Sequence, residues 1–143
     1  MHARELIIEA HPEVRRKDSH ALIRCIEECY DCVLACLSCA DACTAEPAVG
    51  ELRQCIRVDM DCADVCFATG ALASRRTGSN EKILLQMLDV CASACEVCAE
   101  ECERHGKRHE HCRLCAESCR RCRAACRLAM QDLGGESGAV QTN

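Results

Sequence analysis

The stretch that decides the fold is CIEECYDCVLACLSCADAC, residues 25–43, in which successive cysteines are separated by steps of 4, 3, 4, 3 and 4 residues. These steps follow the α-helical repeat, so the thiols of this stretch lie along one side of a single helix. A stripe maintained over this length is typical of a helix that packs against partners along its whole length. The stretch therefore predicts a long helix whose buried face consists of cysteine.

Three further segments repeat this spacing, and together the four segments contain all 18 cysteines of the chain. The cysteines are Cys25, Cys29, Cys32, Cys36, Cys39 and Cys43; Cys55, Cys62 and Cys66; Cys91, Cys95, Cys98 and Cys102; and Cys112, Cys115, Cys119, Cys122 and Cys126. Because these are the faces with consistent periodicity, we expect all four stripes to point into a common interior.

Helix-breaking residues separate the stripes. Pro47, Gly78 and Gly106 leave connections of only a few residues between the periodic segments. The expected long helices cover residues 20–44, 48–76, 81–105 and 109–133. Because short connections favour antiparallel neighbours, the sequence predicts an all-α protein, an antiparallel four-helix bundle.

The chain is predicted to be a single domain over residues 1–143. Residues 1–18 are expected to form an N-terminal helical segment, with a short helix over 3–10 that ends before Pro12 and a further short turn through Lys17. Residues 19–133 form the bundle, and Asp18 or Ser19 is expected to cap its first helix. The Gly-rich and polar segment 134–143 is predicted to be a flexible tail.

The composition restricts the class of protein. The chain has one Phe, one Tyr and no Trp, so cysteine replaces much of the usual apolar filling. Cysteine at this density is typical of secreted disulfide scaffolds, but such frameworks do not keep helical spacing. Residues 1–17 also carry scattered charges and lack the apolar run of an export signal. We therefore expect a cytoplasmic protein with reduced thiols.

Membranes and nucleic acids are not expected partners. No apolar run reaches the ~18 residues of a membrane span. The formal net charge of -5 gives no general attraction to nucleic acid. The arginines of the last helix alternate with glutamates, as in the i,i+4 pair Glu117/Arg121, which is typical of a solvated helix face.

Rows of thiolates predict a soft metal ion as ligand. Thiolate selects Cu(I), Zn(II) and iron–sulfur clusters, and residues three or four apart on a helix are close enough to share one ion. Exchange of each thiol proton for one Cu(I) keeps the interior neutral, whereas a four-thiolate Zn(II) site carries a net charge of about -2. Charge balance therefore favours several Cu(I) ions per chain.

Other interpretations of the cysteines stay open at this stage. One is a ferredoxin-like iron–sulfur electron carrier, although bacterial ferredoxins place their cysteines on a looped backbone and before proline, and no cysteine here precedes proline. A second is a zinc–thiolate buffer. A third is a core in which cysteine serves only as a small apolar residue.

One carboxylate interrupts the cysteine stripes. Asp59 occupies the position that the rhythm of fours and threes skips between Cys55 and Cys62. Because an unpaired buried carboxylate is costly, we expect Asp59 either to reach water or to assist a bound cation.

Three histidines mark one end of the bundle as polar. His105 is the next inward position after Cys102, and His109 and His111 follow it in the linker. All three are candidate metal ligands near an entrance for metal ions. Three methionines are predicted to be flexible core filler, with ligation of metal by the thioether as the alternative, and these are Met60, Met87 and Met130.

Four helices with inward CxxxCxxC stripes, as at 25–43 and 112–126, together with a histidine-bearing end resemble the cytosolic branch of the bacterial four-helix-bundle copper storage proteins. The resemblance covers residues 18–133. It implies storage of Cu(I) inside the bundle, an entrance at the histidine-bearing end and a homotetramer. The protein is thus expected to be cytoplasmic and not an enzyme, with copper ions as ligands and a copper chaperone as a candidate partner.

Overall fold

The computed structural model describes residues 3–14 and 20–139, and the side chains of all of these except residues 4 and 135–139. Within this part of the chain the backbone forms α-helices and one 3₁₀ turn, without strands. The elements are α1 (Ala3–Glu9), α2 (His20–Ala45), the 3₁₀ turn Val49–Leu52, α3 (Arg53–Ser74), α4 (Glu81–His105) and α5 (Glu110–Ala139).

The four long helices form a closed bundle. Helix α2 packs against α3 and α5, and α4 packs against the same two helices. The direction of packing follows from the thiols, since Cys25 at the start of α2 contacts Cys126 late in α5, whereas Cys43 near the end of α2 contacts Cys112. The predicted antiparallel four-helix bundle is confirmed.

The helix limits agree with the sequence prediction where a strong break is present. Helix α4 has the predicted limits, and α2 ends one residue later than expected, before Glu46-Pro47. The helix expected over 48–76 is different, because it begins with the 3₁₀ turn and ends at Ser74. Bonds of the i→i+3 type tighten the first turn after Pro47, and Arg75 takes an extended conformation with φ -95° and ψ 111°.

The last helix is longer than expected. Helix α5 continues to Ala139, beyond the predicted end at Leu133. The glycines after Leu133 each disfavour a helix by only about 1 kcal/mol relative to alanine, far less than a proline would. Residues 140–143, part of the expected flexible tail, lie outside the described residues. So do the expected cap at residues 18–19 and most of the turn through Lys17.

The core confirms the predicted inward orientation of the stripes. None of the 18 cysteines exposes more than 2% of its surface. At the end of the bundle that holds the 75–80 connection, here called the apolar end, the stripes continue with buried Leu22, Leu84, Leu88 and Ala129. The opposite end holds the 46–52 and 106–109 connections and is called the histidine end.

The N-terminal segment covers the apolar end. Ile8 of α1 is buried in the bundle core. Beyond α1, His11 Nε2 lies 3.1 Å from Thr77 Oγ1, and the backbone N–H of Gly78 donates to Glu13 Oε2 at 2.8 Å. The sequence did not indicate this contact, because α1 has no cysteine stripe that relates it to the bundle.

None of the helices in the described ranges 3–14 and 20–139 combines the length and the apolar character needed to cross a membrane.

Candidate metal centre

The 18 thiols form one continuous network along the bundle axis. Neighbouring Sγ atoms lie 3.6 to 4.0 Å apart, and these contacts connect every cysteine to the others. The network exists because each helix turns its cysteine face inward and the four helices pack with their stripes at matching heights.

All 18 cysteines are free thiols. Their Sγ–Sγ distances are well beyond the ~2.05 Å of a disulfide bond. The structure therefore agrees with the expected reduced state and not with a disulfide scaffold.

Groups of four thiols along the network could each hold a metal ion. Their ligand atoms lie within 4.8 Å of one another, and all members are buried. Four such groups are Cys29/Cys91/Cys122/Cys126, Cys32/Cys66/Cys95/Cys122, Cys32/Cys36/Cys62/Cys119 and Cys36/Cys98/Cys115/Cys119.

Neighbouring groups share members. Cys32, Cys36, Cys119 and Cys122 each belong to two of these groups. A shared thiolate cannot complete two independent tetrahedral Zn(II) sites at once, since a structural Zn(II) site is closed by four ligands of its own. The arrangement fits ions that need fewer ligands each and that accept bridging thiolates.

Asp59 is fully buried within the thiol network and does not reach water, contrary to one of the two expectations. Its Oδ1 accepts hydrogen bonds from the thiols of Cys98 at 3.1 Å, Cys102 at 3.3 Å and Cys115 at 3.4 Å. Its Oδ2 has no hydrogen-bond partner. Burial, followed by repulsion from Cys115, raises the pKa of Asp59 to about 8.

His111 brings an imidazole nitrogen to the thiols at the histidine end. It lies in the first turn of α5, and its Nδ1 is 3.5 Å from the sulfurs of both Cys39 and Cys112 and 4.0 Å from that of Cys43. These four residues form a further group that could hold a metal ion. Burial raises the pKa of the Cys43 thiol to about 11, so the metal-free site holds a neutral thiol there.

His109 stacks on His111 and shares its carboxylate partner. The two ring centroids are 5.5 Å apart. His111 Nε2 lies 3.0 Å from Glu46 Oε1, and His109 Nδ1 lies 3.2 Å from the same oxygen. The hydrogen bond from His111 is the main cause that lowers the pKa of Glu46.

His105 has a different partner. Its Nε2 lies 3.3 Å from Glu101 Oε1, one turn earlier on α4, and Glu101 also accepts from Arg104 at 3.0 Å. The structure thus places one histidine, His111, directly against thiols, while His105 and His109 contact carboxylates.

Sequence reasoning missed the two carboxylates that hold the histidines. Glu46 lies in the sequence only as the residue before the helix-breaking Pro47, and Glu101 lies off the cysteine stripe. The i,i+4 spacing of Glu101 and His105 was a usable signal, whereas the pairing of Glu46 with His111 joins residues 65 positions apart and had none.

The three methionines lie outside the groups described above. Met60 is exposed, Met87 is half-buried, and Met130 is half-buried and packs against the bundle core.

A family model described as copper storage protein matches residues 18–131. The chain belongs to the copper storage protein family. The resemblance expected from the cysteine stripes is therefore confirmed, and so is the helical bundle that the family implied. A comparison with curated proteins found no match.

Solved structures of copper storage proteins are similar to this chain. The copper storage protein Ccsp of Streptomyces lividans, loaded with 10 copper equivalents, is 46% identical over 91% of this chain and 99% of its own, with a TM-score of 0.87. A five-copper structure of a cytosolic copper storage protein from S. lividans is 53% identical over 80% of this chain and 95% of its own, with a TM-score of 0.78. The metal-free copper storage protein 3 of Bacillus subtilis is 36% identical over 75% of this chain and 96% of its own, with a TM-score of 0.63.

Proposed function

We propose that this chain stores many Cu(I) ions in the cytoplasm, bound by cysteine thiolates inside the four-helix bundle. The observation that carries the proposal is the single network of 18 buried, free thiols with sulfurs 3.6 to 4.0 Å apart. Membership of the copper storage protein family and the copper-loaded structures of relatives support it.

Storage proceeds by exchange of thiol protons for copper. Each thiol that binds releases one proton, and one Cu(I) replaces that charge, so the interior stays close to neutral as the network fills. Because neighbouring groups share thiols, a bound ion leaves thiolates that also serve the next ion along the axis. This sharing is the reason that we favour Cu(I) over a zinc–thiolate buffer with closed sites.

An iron–sulfur electron carrier is also disfavoured. The cysteines lie on regular helices throughout, whereas the ferredoxin motif wraps a looped backbone around its cluster. The thiols are buried at every level of the bundle and none is arranged around a single open site.

The ligands we propose are the thiols of all 18 cysteines, together with His111 through Nδ1 at the histidine end. Asp59 is proposed to assist copper in the middle of the network, since its Oδ2 is free and its Oδ1 lies within 3.4 Å of three thiols. His105 and His109 are proposed to line the entrance and to take part in the first binding steps.

A storage role fits the burial of the thiols better than catalysis does, because no thiol is open to an organic substrate. We therefore propose that the protein is not an enzyme. A copper chaperone that meets the histidine end is the proposed donor or acceptor, since that end brings a nitrogen ligand and thiols together near the surface.

We also propose a homotetramer. The bundle carries a groove on each of two opposite seams. The groove between α2 and α5 exposes Leu34 and Leu114 among charged side chains, and the groove between α3 and α4 is apolar and lies beside exposed Val90 and Val97. A tetramer with dihedral symmetry needs two different self-complementary patches on each subunit, and two such grooves would supply them. Light scattering on the purified full-length protein tests the proposal, and a monomer at all concentrations contradicts it.

An anaerobic titration of the reduced full-length protein with Cu(I), against a competing Cu(I) chelator, tests the storage function. We expect saturation on the order of one Cu(I) per thiol, as exchange of protons for monovalent ions requires. The parallel titration with Zn(II) is the control. Saturation with about four or five Zn(II) per chain together with little uptake of Cu(I) would contradict copper storage and support closed tetrahedral sites.

A further inference from the structure

We propose that Glu46 is a positioning residue that fixes the ring tautomers of His111 and His109, so that the lone pair of His111 Nδ1 is directed at the thiols of the histidine end. The inference rests on the proposed storage of Cu(I) and adds to it the group that prepares the first site for metal.

One hydrogen bond, from His111, and one close contact, from His109, define which ring nitrogens carry protons. A carboxylate oxygen only accepts, so both nitrogens that contact Glu46 Oε1 must be N–H groups. These are His111 Nε2 at 3.0 Å and His109 Nδ1 at 3.2 Å. Whenever the two rings are neutral, contact with this one oxygen atom therefore selects opposite tautomers for them.

The tautomer of His111 decides whether it can bind copper. A neutral imidazole has one N–H and one lone pair, and the lone pair of His111 falls on Nδ1. This nitrogen is the one that faces Cys39, Cys43 and Cys112 at 3.5 to 4.0 Å. In the other tautomer an N–H would face the thiols, and the ring would have to lose that proton or turn over before it could act as a ligand.

The backbone of Glu46 holds the carboxylate in place. Pro47 restricts Glu46 to a conformation outside the helix. The N–H of Glu46 donates to the carbonyl of Cys43 at 3.3 Å, and its own carbonyl accepts from Val49 at 3.2 Å. The break between α2 and α3 therefore fixes the point from which the side chain reaches the start of α5.

The Glu46 carboxylate contacts the ring nitrogen of His111 that faces away from the thiols, as carboxylates behind histidine ligands of metals commonly do. Such carboxylates set the orientation and tautomer of the ring, and their loss typically costs roughly 10- to 100-fold in metal affinity or activity. Glu46 differs from Glu101, the carboxylate that contacts the third histidine, because the ring that Glu101 contacts is His105 and not the ring placed against the thiols.

Uptake kinetics provide the first test. Reduced full-length protein receives Cu(I) from a chelator complex under anaerobic conditions, and Glu46→Ala is compared with Glu51→Ala. Glu51 is a matched control because it removes the same charge from the same end of the bundle, yet it is exposed and pairs only loosely with Arg108 at 3.8 Å. Glu46→Gln is the conservative variant, since its amide oxygen still accepts a hydrogen bond.

We expect Glu46→Ala to slow the uptake of the first Cu(I) by roughly tenfold. Glu51→Ala should stay within about twofold of the unchanged protein, because screened surface charges contribute little. Glu46→Gln should recover at least part of the lost rate. Equal rates for Glu46→Ala and Glu51→Ala would overturn the inference, as would a Glu46→Gln variant as slow as Glu46→Ala with intact helical content.

The ring tautomers provide a second test that needs no variant to fold. Long-range ¹H–¹⁵N correlation spectra of the metal-free protein, at a pH where the rings are neutral, report which nitrogen carries the proton. We expect His111 in the Nε2–H form and His109 in the Nδ1–H form, and a mixed population for His111 in Glu46→Ala. A His111 ring with its proton on Nδ1 in the unchanged protein overturns the inference.

The failure of this inference and the failure of copper storage give different results. If the unchanged protein takes up no Cu(I), the storage function is wrong, and the tautomer spectra still decide the role of Glu46 on the rings. If the unchanged protein fills with copper while Glu46→Ala behaves like Glu51→Ala, storage stands and only the positioning role is wrong.

Discussion

Asp59 shows at the scale of one residue how the thiol network tolerates a buried carboxyl group. In a fully buried position the neutral form is favoured, and burial raises the pKa of Asp59 to about 8. The thiols of Cys98, Cys102 and Cys115 donate to one oxygen, which leaves the other free for a cation. Asp59 therefore destabilises the metal-free protein as the pH rises, and in the proposed store its free oxygen would assist bound copper.

This shift predicts a pH dependence of stability. Because the pKa of Asp59 in the folded chain lies above its value when unfolded, the folded state holds its proton longer, and stability falls as pH rises from about 4 to about 8. Asp59→Asn should remove this loss, so the variant gains up to about 4 kcal/mol over the unchanged protein between pH 5 and pH 8. Urea unfolding of the metal-free, reduced protein at both pH values measures it.

Asp61→Asn is the control for the Asp59 experiment, because Asp61 is an exposed aspartate on the same helix. It should change stability by a similar small amount at both pH values. A gain for Asp59→Asn that is the same at pH 5 and pH 8 would show that burial does not shift the titration of Asp59.

A thiol that contacts several other thiols should contribute more to copper capacity than a thiol at the end of the network. Cys36 Sγ lies within 3.9 Å of four other sulfurs, while Cys25 Sγ has two such neighbours within 4.0 Å. Cys36→Ser should therefore lower the number of Cu(I) ions bound at saturation by more than Cys25→Ser does. Metal analysis per chain after removal of weakly bound copper gives the comparison. Equal losses would argue against bridging by Cys36.

At the scale of the helix and its connections, prediction from sequence succeeded where local geometry decides the outcome. The step of four and three residues places Cys29, Cys32 and Cys36 on one helix face whatever surrounds them, and proline or glycine determines most helix ends. The prediction was wrong at the 3₁₀ turn Val49–Leu52 and at the end of α5, which extends to Ala139. In both segments the local conformational preferences are weak, so the neighbouring backbone decides which conformation forms.

The connection between α3 and α4 includes a residue in the left-handed conformation, which favours glycine. Gly78 has φ +67°, a conformation that costs an L-residue with a side chain roughly 1–2 kcal/mol. Nothing lies within 4 Å of a Cβ built at this position, so steric contact adds no further cost. Gly78→Ala should therefore lower the free energy of unfolding by roughly 1–2 kcal/mol. Chemical denaturation of the metal-free protein measures the change.

Gly50→Ala is the control for Gly78→Ala. Gly50 also has open space around a built Cβ, and its φ is not positive. The substitution should be neutral or stabilise the protein by up to about 1 kcal/mol, because it reduces the freedom of the unfolded chain. If both variants lose the same stability, the left-handed conformation of Gly78 is not the cause.

At the scale of the whole molecule, the candidate site was predictable in its thiols and only partly in its polar groups. The cysteines were found because one periodicity both builds the helices and places the ligands. Glu46 contacts His111 only because the 46–52 and 106–109 connections lie side by side at the histidine end. The sequence of neither connection indicates that they do. Contacts of this kind depend on tertiary packing.

Copper should stabilise the whole bundle. The metal-free core contains small thiols with few large apolar side chains, and ligands that bind the folded state preferentially raise its stability by mass action. We expect the Cu(I)-loaded protein to unfold at a higher temperature than the metal-free protein, and removal of copper with a Cu(I) chelator to reverse the gain. An unchanged unfolding temperature would place the bound copper outside the folded core.

The two ends of the bundle are unequal, which has a consequence for the proposed copper store. One end is sealed by Leu22, Leu84, Leu88 and the N-terminal Ile8, while the other presents His111 beside three thiols. If the histidine end is the single entrance, as proposed, we expect the last ions bound to be the first released. Loading with ⁶⁵Cu and then ⁶³Cu, followed by partial withdrawal, should release mainly ⁶³Cu; an isotope ratio equal to the total content would mean that ions exchange along the axis faster than they leave.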